Sequence, residues 1–305
     1  MTNQEMAGLL VVATVNVTPS VILLGEAHAC LRKGKPLGRL FYGAIALLLL
    51  QLACVGWAFL VEPDWIETTR HTLTWAHLPP DTRVRIVHLS DLHCEDTPGC
   101  RARLDDACRR IRDEKPDLVC LTGDFAVEPR GVAMAASFVA EVAALAPTFC
   151  VRGNWDGGPA RDLHRAGGIW LERATHRLTV GSTTLGLAGI DFWDDGALEA
   201  VLPEVAGADL RIVLCHTPDR MPEAAARGAH LYLCGHTHGG QVRLPLYGAV
   251  ITLAATGKRF EAGLYKLENM FGYTNRGLGL EGGTAPEIRF LCRPEVTVLD
   301  LRGPG

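Results

Sequence analysis

The chain has 305 residues, 48% of them apolar and 21% charged, with a net charge of −4. That length accommodates one large domain and something besides. The small negative charge, with no Lys/Arg-rich run interleaved with aromatics, argues against a nucleic-acid partner. The ten cysteines show neither a paired metal-binding spacing nor a small disulfide framework.

Leu40 to Val61 reads LFYGAIALLLLQLACVGWAFLV, with Gln51 as its only strongly polar residue. At about 1.5 Å per residue the run extends about 33 Å, enough to cross a bilayer's hydrocarbon core. It is too long for a signal-peptide core, and a buried core helix seldom stays apolar on every face over this length. Arg32, Lys33, Lys35 and Arg39 precede it, and Glu62, Asp64 and Glu67 follow. The positive-inside rule then puts the remainder of the chain on the outer side, periplasmic or extracellular. Met6 to Leu24 is a weaker apolar segment, interrupted by Asn16, Thr18, Pro19 and Ser20. It forms a second span or an interfacial hairpin, and either leaves the basic loop inside. Residues 1–62 are read as a membrane anchor, 63–82 as a linker and first strand, and 83–305 as the main domain.

In that domain short β-rich runs alternate with helical stretches. Val84 to Ser90 predicts a strand ending in Asp91-Leu-His93. Arg101 to Glu114 predicts a helix with Leu104, Ala107, Cys108 and Ile111 on one face. Asp117 to Thr122 predicts a strand ending in Gly123-Asp124, Val132 to Leu145 a helix, and Pro147 to Arg152 a strand ending in Gly153-Asn154. This order argues for an α/β fold. Leu178–Val180 and Thr184–Ile190 predict strands around a Gly181-Ser182 turn. Leu210 to Cys215 is a strand running into His216, and Pro218 to Arg227 a helix. The strand His230 to Cys234 leads into Gly235-His-Thr-His238. Ile288–Cys292 and Glu295–Leu301 are expected to close a second sheet. Cys120, Cys150, Cys215 and Cys234 lie in apolar runs, as small buried hydrophobes do, whereas Cys94 and Cys100 could pair in an oxidising space.

Five strand ends thus carry Asp91 with His93, Asp124, Asn154, His216, and His236 with His238. Sites assemble at strand ends in α/β sheets. Seven nitrogen and oxygen donors exceed one transition-metal ion and suit two. A pair of ions about 3.5–4 Å apart clamps a displacement at phosphorus and acidifies water between them. Asp124 is the natural bridge. Mixed N/O donors accept Mn, Fe or Zn.

The order DLH, GD, GN, H, GHTH resembles the calcineurin-like metallophosphoesterase superfamily from about Arg83 to Gln241. The longer GHTHGGQVRLP, with Arg276-Gly-Leu-Gly279 and Arg293-Pro-Glu295, is similar to its membrane-associated bacterial phosphodiesterase branch, of the YaeI and YkuE type. The resemblance implies a four-layer αββα sandwich preceded by the membrane segment, and two divalent metal ions. Position by position, it implies that Asp91, His93 and His238 hold one ion, that Asn154, His216 and His236 hold the other, and that Asp124 bridges. It also implies a phosphodiester or pyrophosphate substrate cleaved by metal-activated hydroxide, with Asp124, Asn154 and His216 in the reacting centre. A membrane anchor suggests a lipid-linked substrate, with a nucleotide-type one as the other choice.

One position departs from the pattern. The family usually has histidine after Gly-Asn, where it meets the phosphate or protonates the leaving group. Here Trp155 follows Asn154, and an indole N–H can hydrogen-bond an oxygen but not act as an acid. Losing a general acid costs about 10²–10⁴ in rate. The substitution favours a good leaving group or an acid supplied elsewhere, for which Asp156 and His164 are candidates. The alternative is a non-catalytic regulatory protein that binds metal and phosphate. Arg152, Arg243 and Gln241 flank the motifs, Trp75 and Trp193 could form an apolar lip, and His88, His164, His176 and His230 fall outside the motifs.

Overall fold

A computed structural model describes residues 3–33, 38–157, 163–281 and 287–304; Lys35 of the basic loop lies outside them. Two helices come first, α1 (Asn3–Lys33) and α2 (Arg39–Leu60), packed against each other. In α1 the side chains of Thr14, Asn16 and Thr18 bond the carbonyls one turn back, at 2.7–2.8 Å, which covers their polarity. The weaker apolar segment is therefore one continuous helix despite Pro19. Among the described residues only α2, extended by a 3₁₀ turn to Asp64, is long and apolar enough to cross a membrane.

The strands of the first half are β1 (Glu67–Thr74), β2 (Arg83–Leu89), β3 (Leu118–Thr122), β4 (Thr148–Val151), β5 (Ile169–Trp170), β6 (Ala174–Val180) and β7 (Thr183–Gly189). The helices α3 (Pro98–Glu114) and α4 (Gly131–Ala143) connect β2 to β3 and β3 to β4. The second half contributes α5 (Ala197–Glu204), β8 (Leu210–Leu214), α6 (Met221–Ala226), β9 (Leu231–Cys234), the short pair β10 (Arg243–Leu244) and β11 (Gly248–Ala249), β12 (Gly263–Leu267), β13 (Met270–Thr274) and β14 (Glu295–Arg302).

Two six-stranded sheets result, ordered β1-β14-β2-β3-β4-β5 and β12-β13-β9-β8-β7-β6. Strands β2 to β5 run parallel, as do β13, β9, β8 and β7. Ile86, Leu118, Phe149, Leu187, Ile212 and Leu233 fill the space between the sheets. Leu104, Ala107, Cys108 and Ile111 of α3 pack with α4 on the outer face of the first sheet. Leu198 and Val201 of α5, with Met221 and Ala224 of α6, cover the second. Helix, sheet, sheet, helix are the four layers. Strands buried on both faces read as unbroken apolar runs, such as Leu118-Val-Cys-Leu121.

Several boundaries differ from the sequence expectation. Helix α3 starts at Pro98, because the Thr97 side chain accepts the Cys100 N–H at 3.2 Å and Pro98 suits the first turn. The helix expected over Pro218 to Arg227 opens as a 3₁₀ turn, Pro218–Arg220. The tail does not close the second sheet. Strand β14 inserts between β1 and β2 of the first sheet, and the second is completed by the β12–β13 hairpin. Ile288–Cys292 is loop, joined to Val242 by one bridge at Phe290. Cys94 and Cys100 are both buried and both free thiols.

Candidate active site

The carboxyl ends of β2, β3 and β4 in one sheet face those of β8 and β9 in the other, and their loops hold the predicted donors. Five of the residues there stand at positive φ: Asp91 (51°), His93 (40°), Asp124 (55°), His236 (70°) and His238 (49°). L-residues rarely adopt this region, and such strain persists where surrounding structure over-determines it. Close packing supplies that constraint. A Cβ on Gly235 would overlap Ser90 Oγ and Asp91 Oδ2, and one on Gly123 would overlap the Gly153 backbone and His216 Nδ1. The glycines of the motifs are required by approach distance, not by loop flexibility.

Two groups of donor atoms form, Asp91 with His93 and His238, and Asp124 with His216 and His236; within each the atoms lie within 4.8 Å of one another. Asp124 Oδ2 stands between the groups, 3.1 Å from His216 Nε2 and 3.5 Å from His93 Nε2. His238 Nε2 is 3.0 Å from His93 Nε2 and 3.3 Å from Asp91 Oδ1. His216 Nδ1 donates to the Thr122 carbonyl at 2.7 Å, so its Nε2 faces the cluster, where His236 Nδ1 lies 3.3 Å away. Both oxygens of Asp91 also accept the His236 N–H, at 3.0–3.1 Å. Asn154 lies between Gly153, packed on Asp124, and Trp155, whose N–H donates to Asp124 Oδ1 at 2.8 Å. Its Oδ1 is buried without a partner among the described residues, as are the Nδ1 atoms of His93 and His238.

Burial governs the charges. It lowers His93 and His236 to about 4 and pushes His238 well down, so these imidazoles are neutral with free lone pairs. It raises Asp91 to about 7. His216 and Asp124 oppose their own burial: the Asp124 and Asp91 carboxylates raise His216, and His216 with His93 lowers Asp124. Three neutral imidazoles, His216 and two carboxyl groups converge here, with the unpartnered Asn154 oxygen on the adjoining turn, and this donor set fits a divalent cation.

The other candidates fall elsewhere. Asp156, a proton-donor candidate from the sequence, is fully buried behind Asp124. Its oxygens accept the backbone N–H groups of Asp124 (2.7 Å), Phe125 (2.8 Å) and Gly153 (2.8 Å). His164 stacks on Trp170 and contacts Glu172 at 2.7 Å. Arg152 is held by Asp191 and Glu172, and Arg243 by Glu261 and the Gly239 carbonyl. Gln241 exchanges hydrogen bonds with the backbone of Glu281. His88 meets Thr122, His176 packs on Phe149 and His230 bonds Arg211. Trp75 is core, against Phe271, whereas Trp193 is 55% exposed beside Phe192.

Sequence reasoning missed Phe192, whose ring lies 5.1 Å from His236 and 5.9 Å from His216. It also left the Arg276-Gly-Leu-Gly279 loop without a task. That loop supports the first turn, since Leu278 and Gly279 donate to the Asp91 carbonyl at 3.2 and 2.7 Å. Its glycine pattern was the one available signal.

The chain is similar in sequence to known proteins over the segment that holds these residues. The calcineurin-like phosphoesterase family matches residues 84–240. The chain is 33% identical over 261 residues to the uncharacterized metallophosphoesterase YkuE of Bacillus subtilis, covering 81% of this chain and 89% of that one. It is 32% identical over 275 residues to the phosphodiesterase YaeI of Escherichia coli, covering 86% and 98%. A transmembrane protein with a metallophosphoesterase domain from Bos taurus is 26% identical, covering 82% of this chain and 60% of its own length. With the donor clusters and these relatives together, the chain belongs to the calcineurin-like phosphoesterase family and is a metal-dependent phosphoester hydrolase.

Proposed function

We propose that the protein is a membrane-anchored, dinuclear phosphoesterase acting on a phosphodiester or pyrophosphate bond, in a lipid-linked or nucleotide-type substrate. The observation that carries this reading is the position of the Asp124 carboxylate between the two donor groups. Asp91, His93 and His238 would hold one ion, Asn154, His216 and His236 the second, and Asp124 both. Divalent ions, when bound there, would supply Lewis acidity at the phosphoryl oxygens and acidify water.

The chain's own residues do the rest. Thr122 fixes the His216 tautomer, so that Nε2 can ligate or face developing negative charge. Asp156 is a positioning residue, clamping the Gly123-Asp124 and Gly153-Asn154 turns into one register. Phe192 shields the His216 and His236 rings from water. Trp155, 37% exposed and 5.9 Å ring to ring from His93, offers an N–H to a phosphate oxygen but no acidic proton, which favours a good leaving group.

Residues 1–62 serve as the anchor and 83–305 as the catalytic domain, with 63–82 supplying β1 to its first sheet. The basic flank before α2 and the acidic flank after it support a catalytic domain on the outer side. With α1 packed along α2, a double pass keeps that orientation. Hydrolysis of bis(p-nitrophenyl) phosphate with added manganese tests the reaction. Wild-type turnover that Asp124→Ala abolishes is expected; no turnover by either protein sinks the proposal.

A further inference from the structure

Glu62 lies just beyond the end of the apolar run and is only 2% exposed. No described cation forms an ion pair with it. Its Oε2 accepts the Trp57 Nε1–H of α2 at 2.9 Å, and its Oε1 accepts the backbone N–H of Cys292. A buried carboxylate is retained only where hydrogen bonds replace its water. Here both donors belong to a single connection, from the end of the helix to a distant loop.

That loop leads directly to the candidate ligands. Cys292 Sγ donates to the carbonyl of His238 at 3.2 Å, and the same thiol packs against Gly239. Three residues earlier, the Arg289 N–H donates to the Ala58 carbonyl of α2 at 3.1 Å. The Arg289 guanidinium is fully buried and donates to the carbonyls of Gly277, Gly279 and Cys292, at 2.5–3.1 Å. Gly279 in turn supports Asp91. Two routes therefore run from the last turn of α2 into the site, one ending at His238 and the other at Asp91.

We propose that Glu62 is a positioning residue for the metal centre, holding the 289–292 loop so that the end of the anchor helix is a working part of the active site rather than a tether. The proposal rests on the dinuclear reading above. Groups behind metal ligands set ligand orientation, and their loss typically costs about 10–100-fold in metal affinity or activity.

The test uses the full chain in detergent micelles, comparing wild type with Glu62→Ala, Glu62→Gln and Trp57→Phe. Manganese affinity is measured by calorimetry, kcat and KM with bis(p-nitrophenyl) phosphate, and amide exchange over 289–292 by mass spectrometry. Glu62→Ala is expected to speed exchange in that loop, weaken manganese binding by about 10–100-fold and lower kcat with KM little changed. Glu62→Gln, which keeps one acceptor oxygen, should recover part of the loss, and Trp57→Phe should be milder still. Should Glu62→Ala fail to fold, the two milder variants decide on the same measurements. Wild-type manganese affinity in variants whose loop exchange is faster overturns the proposal. So does lowered thermal stability with kcat and affinity per folded molecule unchanged. Because the affinity arm needs no substrate, failure of the phosphodiesterase reading and failure of the Glu62 proposal are distinguishable.

Discussion

Asp156 accepts the backbone N–H of Asp124 at 2.7 Å, so the carboxylate nearest in sequence to Trp155 holds in place the residue that stands between the two donor groups. The same side chain binds Gly153 and Phe125, tying the loops after β3 and β4 together. Asp156→Asn retains one acceptor oxygen but turns an amide N–H toward backbone donors. A buried donor left facing donors costs about 1–3 kcal/mol. The expected result is a thermal transition lowered by several degrees, about 4–8 °C per kcal/mol in a small domain and less in one this size. A kcat loss of at least about 10-fold should accompany it. Wild-type kcat in this variant would show that the two turns hold their register without the clamp.

Gly235→Ala tests the close approach of the second sheet's turn to the first. A Cβ there has no room beside Ser90 and Asp91, and the His236 N–H would be pushed off the Asp91 carboxylate. Manganese affinity should fall by more than about 10-fold, as read by calorimetry. An unchanged affinity would mean that the Asp91 turn can retreat without cost.

Trp155→His supplies an acid where the indole has none. For esters with alkyl leaving groups the rate should rise by about 10²-fold or more, the lower end of what general acids contribute. For p-nitrophenyl esters, whose leaving group needs no proton, it should change little. A rise equal for both substrate classes would point to altered binding in place of proton transfer.

His88 gives a pH signature separate from the donor cluster. Burial holds its imidazole at about 3, against an ordinary value of 6.5. As pH falls through 6.5 the unfolded chain takes up a proton that the folded chain refuses until about 3. Stability therefore decreases across that interval and has no His88 dependence above it. Chemical denaturation of wild type and His88→Gln between about pH 4 and 8 should show a shallower acid-side slope in the variant. Parallel slopes would assign the acid sensitivity to other groups.

Much of this molecule was legible in the chain. Apolar strand runs ending in Asp91-Leu-His93, Gly123-Asp124, Gly153-Asn154, His216 and Gly235-His-Thr-His238 carry their own chemistry, because donor type and strand-end position are local properties. The α/β class followed from alternating strand and helix patterns, and the αββα layering from the family resemblance that the motifs carry. That α2 is long and apolar enough to cross a membrane followed from length and hydropathy alone. What the sequence could not decide depends on contacts between residues far apart in it. Asp156 reads as an acid in the sequence, yet its oxygens are taken by three amides. Ile288–Cys292 reads as a strand by composition, yet Arg289 and Cys292 spend their hydrogen bonds on α2, on Glu62 and on the turn of His238. Glu295–Leu301 has the same apolar pattern whichever sheet receives it, and only long-range pairing put β14 between β1 and β2. Side-chain chemistry is written residue by residue, whereas partners for buried polar groups are assigned only when the whole chain closes around them.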